Sequence, residues 1–158
     1  MLATLSDVNR AGDERIWLAA QCQLQYSEVL RLACRLPAAV ITSSGTAVAN
    51  LLPAVVEASQ SNIPMLLVTA DRPGEMRDTG ANQTIDQVKI FGGYTRWDVD
   101  LPPPDHVVPL RALLTTTDAA LRFATGTPPG PVHINCQFRE PLAPAVADWP
   151  QALLQVQS

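Results

Sequence analysis

The sequence predicts an α/β domain in which a parallel sheet is flanked by helices on both faces. Three observations carry this expectation. Short apolar runs occupy residues 38–42, 63–69 and 131–136. The stretches between them include segments with apolar residues at helical spacing. Glycine and proline punctuate the joins. Strands that are apolar throughout, instead of alternating, are those covered on both faces.

The elements follow in order. Residues 16–35 are rich in helix formers, with Leu18, Cys22, Tyr26, Val29, Leu30 and Ala33 near helical spacing. Pro37 stops that helix. Ala38-Ala39-Val40-Ile41-Thr42 suits a buried strand. Ser43-Ser44-Gly45-Thr46 turns into a second helix that runs to about Ser59 and carries Val48, Leu51, Leu52, Val55 and Val56. Pro53 inside it predicts a kink or a late helix start. Residues 63–69 predict the next strand, and residues 70–83 a polar loop rich in turns. Residues 84–91 predict a short helix that ends at Gly92-Gly93. Residues 94–101 alternate weakly and predict a strand. Pro102-Pro103-Pro104 is a stiff connector. Residues 107–124 carry Val108, Leu110, Leu113, Leu114, Ala120, Leu121 and Phe123 at helical spacing, with Pro109 in the first turn. Residues 131–136 predict the last strand, and a loose proline-containing tail follows.

Composition narrows the function classes. The chain has 158 residues, about one domain's worth. It is 47% apolar and 16% charged, which reads as globular and excludes disorder. The net charge is −4 and no basic stripe exists, so nucleic acid is not an expected partner. No apolar run approaches the ~20 residues of a membrane helix, so no membrane partner is expected. The first fifteen residues lack the apolar core of a signal peptide. Cys22, Cys34 and Cys136 are odd in number and match no metal or disulfide spacing. They read as free thiols in a reducing compartment.

Ligands of parallel sheets sit at the carboxyl ends of the strands. The residues there are Ser43, Ser44, Gly45 and Thr46, then Asp71 and Arg72, then residues 135–139. The first group sets backbone N–H groups and hydroxyls at a helix N-terminus, which suits an anion or the polar edge of a cofactor. Ordinary helix capping by Ser or Thr accounts for the same residues. In the loop, Arg72 can fork onto a carboxylate, and Asn82 and Gln83 offer amide hydrogen bonds. An internal Asp71–Arg72 or Glu75–Arg77 surface network is the competing reading. His106 and His133 have no nucleophile or metal partner nearby in sequence, so both read as structural. Asp13-Glu14-Arg15 reads as solvated surface, and no metal ligand set is expected.

Three segments carry a family resemblance. The stretch Thr42-Ser43-Ser44-Gly45-Thr46-Ala47-Val48-Ala49-Asn50 and its continuation to Ala58 resembles a core motif of the 2-succinyl-5-enolpyruvyl-6-hydroxy-3-cyclohexene-1-carboxylate synthases. So does Leu67-Val68-Thr69-Ala70-Asp71-Arg72-Pro73, followed by Gly80-Ala81-Asn82-Gln83-Thr84-Ile85-Asp86-Gln87. Gly130-Pro131-Val132-His133-Ile134-Asn135-Cys136 with Phe138-Arg139-Glu140-Pro141-Leu142 is similar to the end of the same domain. The likeness covers residues 36–142, and residues 101–125 look most like plant and algal versions. It implies the domain that binds the aminopyrimidine half of thiamine diphosphate, with Ser44, Gly45 and Thr46 against the pyrimidine. It implies substrate contacts from Arg72, Asn82 and Gln83. The family reaction decarboxylates 2-oxoglutarate and adds the succinyl unit to isochorismate, on the route to menaquinone or phylloquinone. In the family, Mg²⁺ and the diphosphate belong to a second domain, and the active site lies between chains of a dimer.

The chain also departs from the family. The family's first strand, with its Gly-Ser-Arg loop, finds no match. The family's glutamate that hydrogen-bonds the pyrimidine lies in an Asp-Glu-Arg triplet. Asp13-Glu14-Arg15 resembles that triplet, which makes Glu14 the one catalytic candidate. It stands several residues further from Ser43 than in the family, and Ile16-Trp17-Leu18 replace the glycines expected next. The expected organisation is therefore a non-matching arm and helix over residues 1–35, the pyrimidine-binding domain over residues 36–142, and the tail over residues 143–158. The expectation is a domain inactive alone, partnered by the remaining synthase domains or a second synthase chain as a homo- or hetero-dimer. The alternative is a stand-alone non-catalytic domain that associates with a synthase subunit. A chloroplast location follows if the source is plant or algal, and a cytoplasmic one otherwise.

Overall fold

The computed structural model describes residues 37–105 and 108–142. The helix expected over residues 16–35, Glu14, His106 and the tail over residues 143–158 lie outside the described residues, as does the question of a further strand before residue 37. The described elements run β1 (Ala38–Thr42), α1 (Thr46–Ala49), α2 (Leu52–Gln60), β2 (Met65–Asp71), β3 (Trp97–Leu101), α3 (Leu110–Thr125) and β4 (Pro131–Gln137), with 3-10 turns at Gly74–Met76 and Gly92–Tyr94. The four strands form one sheet in the order β1-β2-β4-β3, and every pairing is parallel. The expected fold class is present.

Strand alternation sorts the side chains onto two faces. On one face Val40, Met65 and Leu67 pack with Val48, Leu51, Ala54, Val55 and Ala58 of α1 and α2, and with Phe91. On the other, Val132 and Ile134 pack with Leu66, Val68, Trp97, Val99 and Leu101 against Ala120 and Ala124 of α3. Those two alanines are the buried residues of α3, while Leu113, Leu114 and Phe123 stay largely exposed. A pair of small side chains four residues apart lets the helix lie close to the sheet. Phe123 stacks on Trp97 at 5.6 Å between ring centroids.

Three expectations need correction. The second helix is two helices, broken at Asn50 and Leu51. Pro53 sits in the first turn of α2, where its missing N–H costs nothing. A tight turn from Leu51 N to Val48 O closes α1, and Val55 N donates to Leu51 O to open α2. Residues 84–91 form no helix. Gln83 and Lys89 take positive φ values of 56° and 58°, which no right-handed helix admits. Only isolated turn bonds hold this stretch, such as Ile90 N to Gln87 O. The third strand starts at Trp97, since the residues expected to open it are taken up by the 3-10 turn that ends at Tyr94.

Arg96 closes the amino end of the sheet. Its Nε donates to Pro129 O at 3.2 Å, Nη1 to Ser59 Oγ at 3.1 Å, and Nη2 to Ser59 O at 2.8 Å and Asn62 Oδ1 at 3.1 Å. The last turn of α2 is thereby tied to the loop entering β4. Gly130 makes room: a Cβ there would stand 2.6 Å from Arg96 Nε. Charged hydrogen bonds to partly buried acceptors are worth about 1.5–3 kcal/mol. Arg96→Ala should therefore lower unfolding stability by roughly 2 kcal/mol in urea denaturation. A midpoint unchanged from the parent would remove Arg96 from this role.

Candidate functional site at the carboxyl ends of the strands

The opposite end of the sheet is polar. Alternation from Val132 and Ile134 turns His133, Asn135 and Gln137 towards the α1/α2 face, and Thr69 and Asp71 of β2 lie beside them in register. All five are buried. Asp100 of β3 joins them through its pairing with Asn135.

Asp71 is 2% exposed, and every contact around it serves its charge. Arg77 Nη2 lies 3.2 Å from its Oδ2, and Asn135 Nδ2 donates to the same oxygen at 2.8 Å. The Arg72 backbone N–H donates to Oδ1 at 2.8 Å. Arg77 also reaches Asp100 Oδ2 at 3.0 Å. Asn135 and Gln137 donate to the two Asp100 oxygens at 2.8 and 2.9 Å. Burial alone would raise the Asp100 carboxyl. The hydrogen bonds from Asn135, Gln137 and Arg77 outweigh it and hold the carboxyl below its ordinary value. Burial works against the Arg77 charge, yet its bonds to Asp100 and Asp71 raise it overall. Removing one partner of such a buried pair costs about 3–5 kcal/mol, because the other charge is stranded.

A second set of bonds reaches the turn after β1. Gln87 is fully buried. Its Oε1 accepts from the Gly45 backbone N–H at 3.0 Å. Its Nε2 donates to Ala70 O at 2.8 Å and Asn135 Oδ1 at 2.7 Å, with Thr69 Oγ1 at 3.3 Å. Thr69 Oγ1 lies 2.8 Å from His133 Nε2. With Thr69 donating to Asn135 Oδ1, its oxygen accepts from a neutral His133 protonated at Nε2. His133 packs edge-on against Phe91. This is a structural histidine, as its sequence surroundings suggest.

Gly45 has φ 77° and ψ −135°, a conformation essentially reserved for glycine. A Cβ there would meet Gln83 O at 3.0 Å and Gln83 Cα at 3.2 Å. The turn and the 80–87 loop are thus in backbone contact. Ser44 is buried beneath the turn and Thr46 is exposed at the start of α1. Helix capping does not explain these hydroxyls, since α1 has Gly45 at its N-cap and no side-chain cap bond. Nor is α1 an anion site of the kind the turn suggested. It is only four residues long, and the Gly45 N–H is taken by Gln87. Thr42 Oγ1, on the last residue of β1, is buried with no partner.

The substrate candidates separate. Asn82 and Gln83 are exposed, next to the Gly45 turn. Arg72 is partly buried, with Nη1 3.4 Å from Glu140 and a buried Nε that has no partner. Neither competing surface pairing forms: Arg77 holds Asp71 and Asp100, while Glu75 pairs with Arg139. Sequence reasoning offers Arg77 only as a surface partner of Glu75, and it singles out neither Gln87 nor Asp100. Gln87 stands inside a quoted motif, but a helix was expected around it. Among the described residues no group of side chains can hold a metal ion, and no helix is long and apolar enough to cross a membrane. Cys136 is a free thiol that burial pushes upward, so it is not a ready nucleophile.

An aminopyrimidine offers ring nitrogens as acceptors and an amino group as donor. Unpartnered Thr42 Oγ1, buried Ser44 and the side-chain-free Gly45 fit such a flat, polar-edged ring.

Residues 27–90 match the family model described as thiamine pyrophosphate enzyme, N-terminal TPP binding domain. The chain is 64% identical over 112 residues to the 2-succinyl-5-enolpyruvyl-6-hydroxy-3-cyclohexene-1-carboxylate synthase of Salinibacter ruber, covering 71% of this chain and 19% of that protein. It is 57% identical over 113 residues to Protein PHYLLO, chloroplastic, of Arabidopsis thaliana, covering 72% of this chain and 7% of that protein. The synthase of Chlorobium phaeobacteroides is 55% identical over 115 residues, 73% of this chain and 20% of that protein. The chain thus spans about a fifth of the length of the bacterial synthases it matches, and less of the plant protein.

Burial of His133 gives the site a pH signature. Burial lowers its pKa from 6.5 to about 4, against the opposing pull of Asp98, Asp100 and Asp71. The unfolded chain therefore binds this proton first as pH falls. Stability is full above pH 6.5 and is lost between there and about pH 4. The His133 contribution to that loss is about 3 kcal/mol. His133→Gln should flatten the fall, measured by urea unfolding at a series of pH values. An equally steep fall in the variant would contradict the assignment.

Proposed function

We propose that this chain, which belongs to the thiamine pyrophosphate enzymes and groups with the 2-succinyl-5-enolpyruvyl-6-hydroxy-3-cyclohexene-1-carboxylate synthases, supplies the pyrimidine side of such a synthase's active site. The observation that carries this is the backbone contact of Gly45 with Gln83. It joins the turn that would face the cofactor to the loop that would face the substrate. Ser44, Gly45 and Thr46 would hold the aminopyrimidine of thiamine diphosphate. Arg72 has a buried Nε without a partner and only an exposed glutamate on its Nη1. It is therefore free to exchange Glu140 for a substrate carboxylate. Asn82 and Gln83 would bond the remaining polar groups of that substrate.

The reaction proposed is decarboxylation of 2-oxoglutarate and addition of the succinyl unit to isochorismate, in menaquinone or phylloquinone synthesis. The cofactor would supply the electron sink for decarboxylation. Mg²⁺ and the diphosphate would be held by synthase residues other than the described ones, in the remaining domains or a second synthase chain. The partnership would be that of a homo- or hetero-dimer. A plastid location is carried over from the plant relative alone.

Arg72→Ala, in the protein assembled with its other synthase domains, should raise the KM for isochorismate about 100-fold with an unchanged melting temperature. A kcat/KM equal to that of the parent would take Arg72 out of the site.

A further inference from the structure

We propose that Gln87 is a positioning residue. Its side-chain amide locks the Ser44-Gly45-Thr46 turn to the loop after β2, so that the cofactor and substrate contacts form as one unit. This rests on the function proposed above for what the two segments touch, but the lock itself rests on geometry alone.

The amide bridges three separate chain segments. Its oxygen takes the Gly45 N–H, and its nitrogen donates to Ala70 O and Asn135 Oδ1. Gln87 itself belongs to the fourth segment, the loop that carries Asn82 and Gln83. An apolar side chain of the same length would fill this volume without an amide's desolvation cost. The amide supplies what an apolar side chain cannot: an acceptor for the Gly45 N–H and a donor for Ala70 O. The surrounding backbone is bent to suit. Gly45 at φ 77° and Gln83 at φ 56° are both in the left-handed region, and they pack against one another. Residues held in such conformations persist only where neighbours fix them. The absence of helix over residues 84–91 has the same origin, since Gln87 is drawn inward to make these bonds.

Two variants separate positioning from packing. Gln87→Met keeps the length and loses every bond. Gln87→Glu keeps an acceptor for Gly45 N–H but loses both donors. In the assembled synthase, well below the melting temperature, Gln87→Met should raise both the thiamine diphosphate dissociation constant and the isochorismate KM about tenfold. The value of kcat should change less than threefold. Gln87→Glu should recover at least part of the cofactor affinity, and a residue that merely fills the core would show no such rescue. Amide hydrogen exchange at Gly45 is read on the same proteins. It should quicken at least tenfold in Gln87→Met and stay near the parent's in Gln87→Glu. Unchanged Gly45 exchange in Gln87→Met would overturn the lock. So would a failure of both variants to fold, which would make Gln87 a folding residue. Quickened Gly45 exchange in Gln87→Met, together with a parent protein that binds no thiamine diphosphate, would sustain the lock and remove the proposed function instead.

Discussion

A carboxylate with almost no access to water organises the working end of this domain. Asp71 ends β2 on the α1/α2 face and is 2% exposed. Its charge must be met by partners, or the cost of burial would be several kcal/mol. The chain after β2 is shaped by that need. It turns through the 3-10 element at Gly74–Met76 and brings Arg77 back to the sheet. Gly74 N–H donates to Gln137 Oε1, and Phe138 N–H donates to Asp71 O. Asp100 on β3 shares the Arg77 guanidinium, so the edge strand is tied to the same point. Two carboxylates face one guanidinium; the amides of Asn135 and Gln137 donate to the same oxygens as Arg77, and the Arg72 backbone N–H takes the remaining one, Asp71 Oδ1.

The two ends of the sheet are built differently. At the amino end Arg96 spends four hydrogen bonds on backbone and short polar side chains, and that end is closed. At the carboxyl end the network runs from buried Asp71 and Gln87 out to the partly exposed Arg77 and Asp100. Above it lie Thr46, Asn82 and Gln83, exposed, and Arg72 with a weak partner. A rigid polar floor beneath exposed loop residues is the arrangement that lets loops carry specificity without wandering.

The sheet was legible in the sequence because buried parallel strands announce themselves as apolar runs. Residues 38–42, 63–69 and 131–136 differ from the observed strands by two residues at most. Pro53 likewise marked the real break between α1 and α2. The stretch over residues 84–91 was misread, since helical propensity there is overridden by the inward pull of Gln87 and by positive φ at Gln83 and Lys89. Arg77 was read as a partner of Glu75 because the two are close in sequence. In the fold its partners are Asp71 and Asp100, the second from a strand that only the sheet order brings near. Long-range polar pairing leaves no periodic trace. The resemblance to the synthases pointed to Ser44, Gly45, Thr46, Arg72, Asn82 and Gln83, but it did not reveal that a buried amide joins their two segments.

The most direct test of this account is a titration of the Asp100 side-chain carboxyl by carbon NMR. Burial pushes that group up, and the bonds from Asn135, Gln137 and Arg77 push it down. If the network governs this end of the sheet, Asp100 titrates below its ordinary carboxylate value. A value at or above the ordinary one would mean that the bonds do not hold the charge, and the loop after β2 would need another anchor.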